Sequence, residues 1–275
     1  MLQLGKLRNK GLELTLNANI FKQDNFEWSA SSTFSMNRRK IVTLYGDMEN
    51  VLDNEGNVIG EKESDDPTNG WFIGQDPDRI WAYERLGVWQ LGEEEQAAIY
   101  GCKPGDFKYK DQNGDGVMNT EDKVFQGYKT PRYRWSMRND FTIHKNFTVS
   151  FTMYSYFGHY GAFNEAANYN GGSPYKFSSY DLPRWTKDNP TNDYARISSY
   201  NAGTNWVKKS FLRLDNVSVS YNLPKSFLRK FAIQNMRLTL TARNVAVLSP
   251  HWTFWDPENG SLSPRSFNLG INFTL

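Results

Sequence analysis

Strict alternation of apolar and polar side chains, repeated in short runs along the chain, limits this sequence more than any other feature. At the C-terminus Phe267, Leu269, Ile271, Phe273 and Leu275 stand on odd positions, with Asn268, Asn272 and Thr274 between them. A period of two is that of a strand with one apolar and one polar face. Leu12, Leu14, Leu16, Ala18 and Ile20 repeat the pattern, as do Trp28, Ala30, Ser32, Phe34 and Met36. Tyr133, Trp135, Met137, Phe141 and Ile143 follow, then Phe147, Val149, Phe151, Met153 and Phe157. Val217, Val219 and Tyr221, and finally Met236, Leu238, Leu240 and Ala242, complete seven such runs.

The pattern fits either a soluble β-sandwich or the wall of a membrane barrel. No run approaches the roughly 20 consecutive apolar residues of a spanning helix. The apolar fraction of 39% and mean hydropathy of -0.68 are low for a chain that packs a large dry core. A barrel wall needs only every second residue apolar, so it sits in lipid while whole-chain hydropathy stays negative.

Connection lengths separate the two. Gln23 to Asn25 and His144 to Asn146 are tight turns, whereas the stretches from 45 to 130, from 158 to 205 and from 248 to 262 are long. Barrels of the outer membrane alternate short periplasmic turns with long extracellular loops, and loops beyond about 15 residues are uncommon in compact soluble domains. The connection from Asn222 to Gln234 is intermediate and carries a short amphipathic helix with Phe227, Leu228 and Phe231, placed by the alternation on the periplasmic side. The segment Ile80 to Trp89 also looks strand-like, but one more crossing there would invert the short and long connections, so it is expected outside the membrane. The expected fold is therefore all-β: about seven strands of an antiparallel transmembrane β-barrel segment, residues 1–275, in the outer membrane, with extracellular loops 45–130 and 158–205. Because bacterial single-chain barrels use an even number of strands, the seven are expected to be a fragment of a larger barrel. Met1 to Gly5 offer neither a charged n-region nor an apolar h-region, so for an outer-membrane protein the expectation is that the N-terminus of the natural chain is missing or the gene is truncated.

A net charge of +2 with scattered Lys and Arg gives no basic face for nucleic acid. The single cysteine, Cys102, excludes an internal disulfide and is expected to be a loop spectator. His144, His159 and His251 lie far apart and are expected at the surface or in an aromatic girdle. With no nucleophile elbow, phosphate-binding glycine loop or zinc spacing, an enzyme is not expected.

The sharpest local motif is residues 111–122. Asp111, Asn113 and Asp115 stand at positions 1, 3 and 5 of a calcium-loop spacing, Gly116 at 6, the Val117 carbonyl at 7, Asn119 at 9 and Asp122 at 12. Ca²⁺ takes oxygen ligands, and this spacing wraps one loop around an ion. A structural Ca²⁺ that pins a long loop is one expectation; an Asx-rich surface turn is the other. Residues 93–100 are expected to form a short helix, acidic at its N-terminus. Rings crowd the long connections: Trp71, Phe72, Trp81, Trp89, Tyr169, Tyr175, Tyr180, Trp185, Tyr194, Tyr200, Trp252, Phe254 and Trp255. Flat rings beside Asn and Asp suit carbohydrate or peptide contacts, but girdles and local loop packing use the same residues.

Ordered motifs then add a resemblance. Phe72-Ile73-Gly74-Gln75, Ile80-Trp81-Ala82-Tyr83, Leu86-Gly87-Val88-Trp89-Gln90 and Pro104-Gly105-Asp106-Phe107 lead into the Asn113-Gly114-Asp115-Gly116 loop. Phe211-Leu212-Arg213-Leu214-Asp215-Asn216-Val217, Tyr221-Asn222-Leu223-Pro224, Ala242-Arg243-Asn244 and Pro264-Arg265-Ser266-Phe267 follow in order. Across essentially its whole length the chain resembles the C-terminal portion of the barrel of SusC/RagA-type TonB-dependent transporters. The resemblance implies a barrel of about 22 strands, of which these are the last seven. It also implies a SusD-like surface lipoprotein as partner, the TonB complex acting through an N-terminal part with the plug, and import of glycans or oligopeptides. Family members generally end in Phe, and this chain ends in Leu275. A chain without plug and TonB box is not expected to transport alone. The alternative is a calcium-stabilised surface binding or adhesion module without transport, and a small self-closing barrel is a third reading.

Overall fold

The computed structural model describes residues 5–163, 182–197 and 205–275. Among them the strands run, in chain order, β1 (Lys6–Gln23), β2 (Phe26–Thr43), β3 (Met48–Leu52), β4 (Val58–Glu63), β5 (Arg79–Tyr83), β6 (Arg85–Val88), β7 (Phe107–Tyr109), β8 (Lys123–Tyr128), β9 (Tyr133–Ile143), β10 (Phe147–Phe157), β11 (Tyr160–Ala162), β12 (Trp206–Lys208), β13 (Phe211–Asn222), β14 (Asn235–Leu248) and β15 (Ser266–Thr274). Two short helices are α1 (Glu94–Ile99) and α2 (Lys225–Leu228).

The seven alternating runs form one sheet in the order β1-β2-β9-β10-β13-β14-β15. Strands that follow one another across a connection lie side by side, the simplest outcome for antiparallel neighbours. Register carries the alternation across the sheet, because residues opposite each other share a face. Phe26, Ile143, Phe147, Tyr221, Leu238 and Ile271 make one continuous row. Trp28, Phe141, Val149, Val219, Leu240 and Leu269 make the next, and Ala30, Asn139, Phe151, Val217, Ala242 and Phe267 the one after. The opposite face reads Ser29, Asp140, Ser150, Ser218, Thr241 and Asn268. Thr33 with Ser136 (2.6 Å), Ser218 with Thr241 (3.2 Å) and Ser220 with Thr239 (3.0 Å) are joined by hydroxyl hydrogen bonds on this polar face.

A bulge keeps the faces apart where β13 would otherwise exchange them. Thr152 opposes Asn216 but the next residue, Met153, opposes Leu214, so Asp215 is the extra residue. β14 slips at the same level, between Arg243 and Ala246, where Asn244 adopts φ 51. Met153, Leu214 and Ala246 therefore stay on the apolar face while Tyr154 and Arg213 stay on the polar one.

Among the described residues no protein layer covers the apolar face. Every residue of β10 is only half-buried, including Val149, Phe151 and Met153, and Leu240, Leu269 and Phe273 are 52%, 72% and 59% exposed. A sandwich would bury these rows against a second sheet. Asn139, the one polar side chain in the third row, accepts the Trp28 indole N–H at 3.1 Å, so its amide oxygen is satisfied there.

The described residues divide into two compact units: 9–38, 130–159 and 208–275 in one, and 5–8, 39–129, 160–163, 182–197 and 205–207 in the other. The second unit holds most of the buried apolar side chains, among them Ile80, Val88, Phe107, Trp185 and Ala195. It is built from two-stranded ribbons: β3 with β4, β5 with β8, β6 with β7 and β11 with β12. The Trp81 segment is β5, paired with β8, and joins no strand of the seven-stranded sheet. Its core packs Val88, Phe107, Trp185 and Ala195 together. Gly105 makes that packing reachable. Its φ of +91 suits glycine, and a Cβ there would lie 2.5 Å from the Trp185 ring.

Candidate functional site

In the sheet-bearing unit the polar face carries a buried ionic cluster. The Arg213 side chain, 3% exposed, donates two hydrogen bonds to Asp256 at 2.7 and 2.8 Å and another to Asn244. Glu258 lies 3.6 Å away from it, beyond hydrogen-bond length, and accepts the Tyr154 hydroxyl at 2.5 Å. Burial raises the Asp256 pKa, but the guanidinium and the amide N–H groups of Asn259 and Glu258 outweigh it and hold the carboxyl below its usual range. An arginine in a strand on this face needs such a partner, because an uncompensated buried charge is costly. The cluster fixes the β14–β15 connection to β10 and β13. Thr33, Ser35, Arg134, Tyr154, Tyr156 and Glu258 line a cleft of about 410 Å³ beside it. Trp252, Phe254, Trp255, Asp256 and Arg265 line a second, of about 310 Å³. Together they offer hydroxyls, a guanidinium, a carboxylate and ring faces, a set that binds polar solutes by hydrogen bonding and stacking.

His159 is buried, at 6% exposure, which corrects the surface placement expected for it. The chain tucks it between β10 and β11, where its carbonyl accepts the Lys209 N–H. Burial, reinforced by the charges of Lys209 and Arg134, pushes its pKa down to about 4. His144 and His251 are exposed.

In the other unit the 111–122 loop closes on itself. Asp111 accepts the N–H groups of Gly114 and Gly116 and the Tyr100 hydroxyl, Asp115 accepts the Val117 N–H, and Asn113 accepts the Asp115 N–H. The Gly116 N–H is the main cause of the low pKa of Asp111. Asp122, fully buried, accepts the N–H groups of Gln112 and Asn119 at 2.8 Å each, while the Asn119 side chain accepts the Glu121 N–H in a capping box. The oxygen-rich donors suit a hard cation, yet the carboxylate at position 12 is engaged in closing the loop. Among the described residues no group of three His, Cys, Asp or Glu side chains converges as a metal site.

Several loop rings prove to be packing residues. Trp89, Trp185 and Trp252 are buried, and the Trp185 indole donates to Gln90 at 2.8 Å. Gln90 in turn donates to the Val88 and Thr191 carbonyls, and Arg196 pairs with buried Asp106 at 2.8 Å. Trp71 is 36% exposed. Tyr169, Tyr175, Tyr180 and Tyr200 lie outside the described residues. The Arg213 cluster and the Asp106–Arg196 pair were not read as sites from the sequence. A strand arginine followed by Asp256 and Glu258 in one connection is the signal that could have found the first.

No protein-family profile matches the chain. Among curated proteins, the TonB-dependent receptor P26 of Formosa agariphila is 28% identical over an alignment 307 positions long, covering 99% of this chain and 29% of that protein. The TonB-dependent receptor P3 of the same organism is 28% identical, covering 98% and 27%. Among solved structures, the RagAB peptide transporter superposes with a TM-score of 0.69 at 19% identity over 98% of this chain and 30% of that one. The RagAB peptide importer in its open-open state gives 0.69 at 21% identity, with 98% and 29% covered. The chain thus spans less than a third of the length of the relatives it matches. The resemblance to TonB-dependent transporters read from the ordered motifs is borne out, and with it an antiparallel barrel-wall fold and a place in the outer membrane.

Proposed function

We propose that the chain forms part of the wall of a TonB-dependent outer-membrane importer, its apolar rows in lipid and its polar face, with the Arg213 cluster, along the import path. The observation that carries this reading is the segregation of apolar and polar faces carried by register across β2, β9, β10, β13, β14 and β15, with no protein layer over the apolar one among the described residues. Along β13 five apolar side chains, Tyr221, Val219, Val217, Leu214 and Leu212, mark successive levels of this face; levels roughly 6.8 Å apart on strands tilted about 40° rise roughly 20 Å, close to the ~25 Å apolar band of such walls. Whole-length similarity to named TonB-dependent receptors supports it.

In this reading loops 45–130 and 158–205 face the exterior and meet a SusD-like surface lipoprotein. The TonB complex drives the cycle through residues outside this chain. The cargo is an oligopeptide or a glycan, either of which presents the polar groups that Tyr154, Tyr156, Arg134 and Glu258 can bind. No enzymatic step is assigned. We further propose that Ca²⁺ bound through Asp111, Asn113, Asp115, the Val117 carbonyl and Asn119, with Asp122 holding the loop closed behind it, stiffens residues 111–122. Asp111→Ala with Asp115→Ala should then abolish Ca²⁺-dependent protection of this loop from proteases. Equal protection with and without Ca²⁺ in the unaltered chain would remove the ion from the account.

The importer reading is tested by deleting the gene in its host and following uptake of fluorescent oligopeptide and oligosaccharide pools, alongside a strain lacking TonB. Loss of uptake of the same pool in both strains is expected. Undiminished uptake combined with loss of surface adhesion would favour a binding module.

A further inference from the structure

We propose that the connection between β13 and β14 is a membrane-interface anchor: Phe227 and Phe231 enter the headgroup boundary of an anionic phospholipid surface, and Lys225, Arg229 and Lys230 meet its phosphates. This rests on the reading of the sheet as a membrane wall.

The connection lies at one end of the sheet. There the His144 N–H reaches the Asn25 carbonyl, the Asn222 N–H that of Asn146, the Leu223 N–H that of Met236 and the Gln234 N–H that of Thr274. The two other hairpin turns at this end are short and polar: residues 24–25 and 144–146. Residues 223–234 are far longer than a hairpin needs, and they fold. α2 is followed by a 3₁₀ turn, Arg229–Phe231, and Ala232 in the left-handed region (φ 58) ends it. So short a helix is not stable alone in water. Leu228, 1% exposed, ties it down, and the Leu228 carbonyl accepts the Ile233 N–H.

What the fold leaves outside is apolar and aromatic. Phe227 and Phe231, one helical turn apart with ring centroids 5.4 Å from each other, are 49% and 60% exposed. Around them the charge has one sign. Residues 222–237 contain Lys225, Arg229, Lys230 and Arg237 and not one Asp or Glu, although the whole chain is nearly balanced at +2. An exposed aromatic pair in a purely basic segment is the composition of an interfacial helix on an anionic lipid surface. The nearest apolar row of the sheet, with Phe26, Phe147 and Tyr221, is rich in rings at the same end, as at a membrane boundary.

Within these residues Cys102 is the only thiol. In the full-length protein carrying this segment, Cys102→Ser together with Ser at any cysteine outside these residues gives a thiol-free background, in which Phe227→Cys, Phe231→Cys or Leu240→Cys places an environment-sensitive fluorophore. After reconstitution in phosphatidylethanolamine–phosphatidylglycerol vesicles, labels at 227 and 231 are expected to be blue-shifted and to lose emission to lipids brominated near the headgroup. That loss should shrink when Lys225, Arg229 and Lys230 are all changed to Gln. The label at 240 should lose emission to lipids brominated near the chain centre. Unquenched labels at 227 and 231 beside a quenched label at 240 would overturn the anchor and assign the aromatic pair to a protein partner. An unquenched label at 240 would overturn the wall itself, and the anchor with it.

Discussion

At the scale of residues, two buried polar side chains bear measurable consequences. His159 is held neutral, its pKa pushed down to about 4 chiefly by burial, against an ordinary value of about 6.5. Between those values the unfolded chain binds a proton that the folded chain refuses, so stability falls as pH drops through this window and levels off below it. The full loss is about 3 kcal/mol. The temperature at which heat-modifiable mobility is lost should fall on acidification from neutral pH to about pH 4.5, and His159→Gln should flatten that fall; an equal fall in the variant would contradict the assignment. Arg213→Met would leave Asp256 buried without its cation, at a cost of about 3–5 kcal/mol. Proteolysis within residues 249–265 should reveal the released connection, and adding Asp256→Asn should restore most of the resistance. Neither feature was read from the sequence. His159 belongs to no metal or catalytic spacing, and its burial follows from where β10 ends. Arg213 was visible as part of an ordered motif, but its partners lie 43 and 45 residues away, and only the register brings them to it.

At the scale of elements, the strands were readable because a period of two is a local signal that tertiary structure preserves. Each of the seven runs became a strand of the sheet, and β1 and β2 extend well past the alternating cores, from Lys6 to Gln23 and from Phe26 to Thr43. The slip at Asp215 was not visible, because a bulge declares itself only in the pairing with β10 and β14. The small ribbons of the 39–129 region were harder to read. β3, β6 and β7 are too short to establish a period; packing around Phe107 and Trp185 fixes β6 and β7, and pairing with β4 holds β3. The two faces of β14 give the element-scale prediction. Leu240→Lys puts an ammonium on the apolar face and should cost about 2–4 kcal/mol near the membrane midplane. Thr241→Lys, on the opposite face, should leave the folded fraction nearly unchanged. Folded fractions read from heat-modifiable migration after refolding into vesicles compare the two, and equal losses would contradict the face assignment.

At the scale of the whole molecule, the sheet and the packed unit divide the chemistry. The sheet buries few apolar side chains, whereas the described residues of 39–129 and 160–207 hold a conventional core. That division explains how a chain with mean hydropathy -0.68 can belong in a membrane: its apolar atoms are placed by parity rather than by abundance. The central claim is that parity, and a series of single cysteines along β14 tests it most directly. With Cys102→Ser and any cysteine outside these residues also changed to Ser as background, Leu238→Cys, Thr239→Cys, Leu240→Cys and Thr241→Cys in the membrane-embedded full-length protein are exposed to a charged, membrane-impermeant thiol reagent. The account predicts a period of two, with 239 and 241 modified and 238 and 240 protected. Uniform modification along the four positions, or protection at 239 and 241 instead, would contradict it.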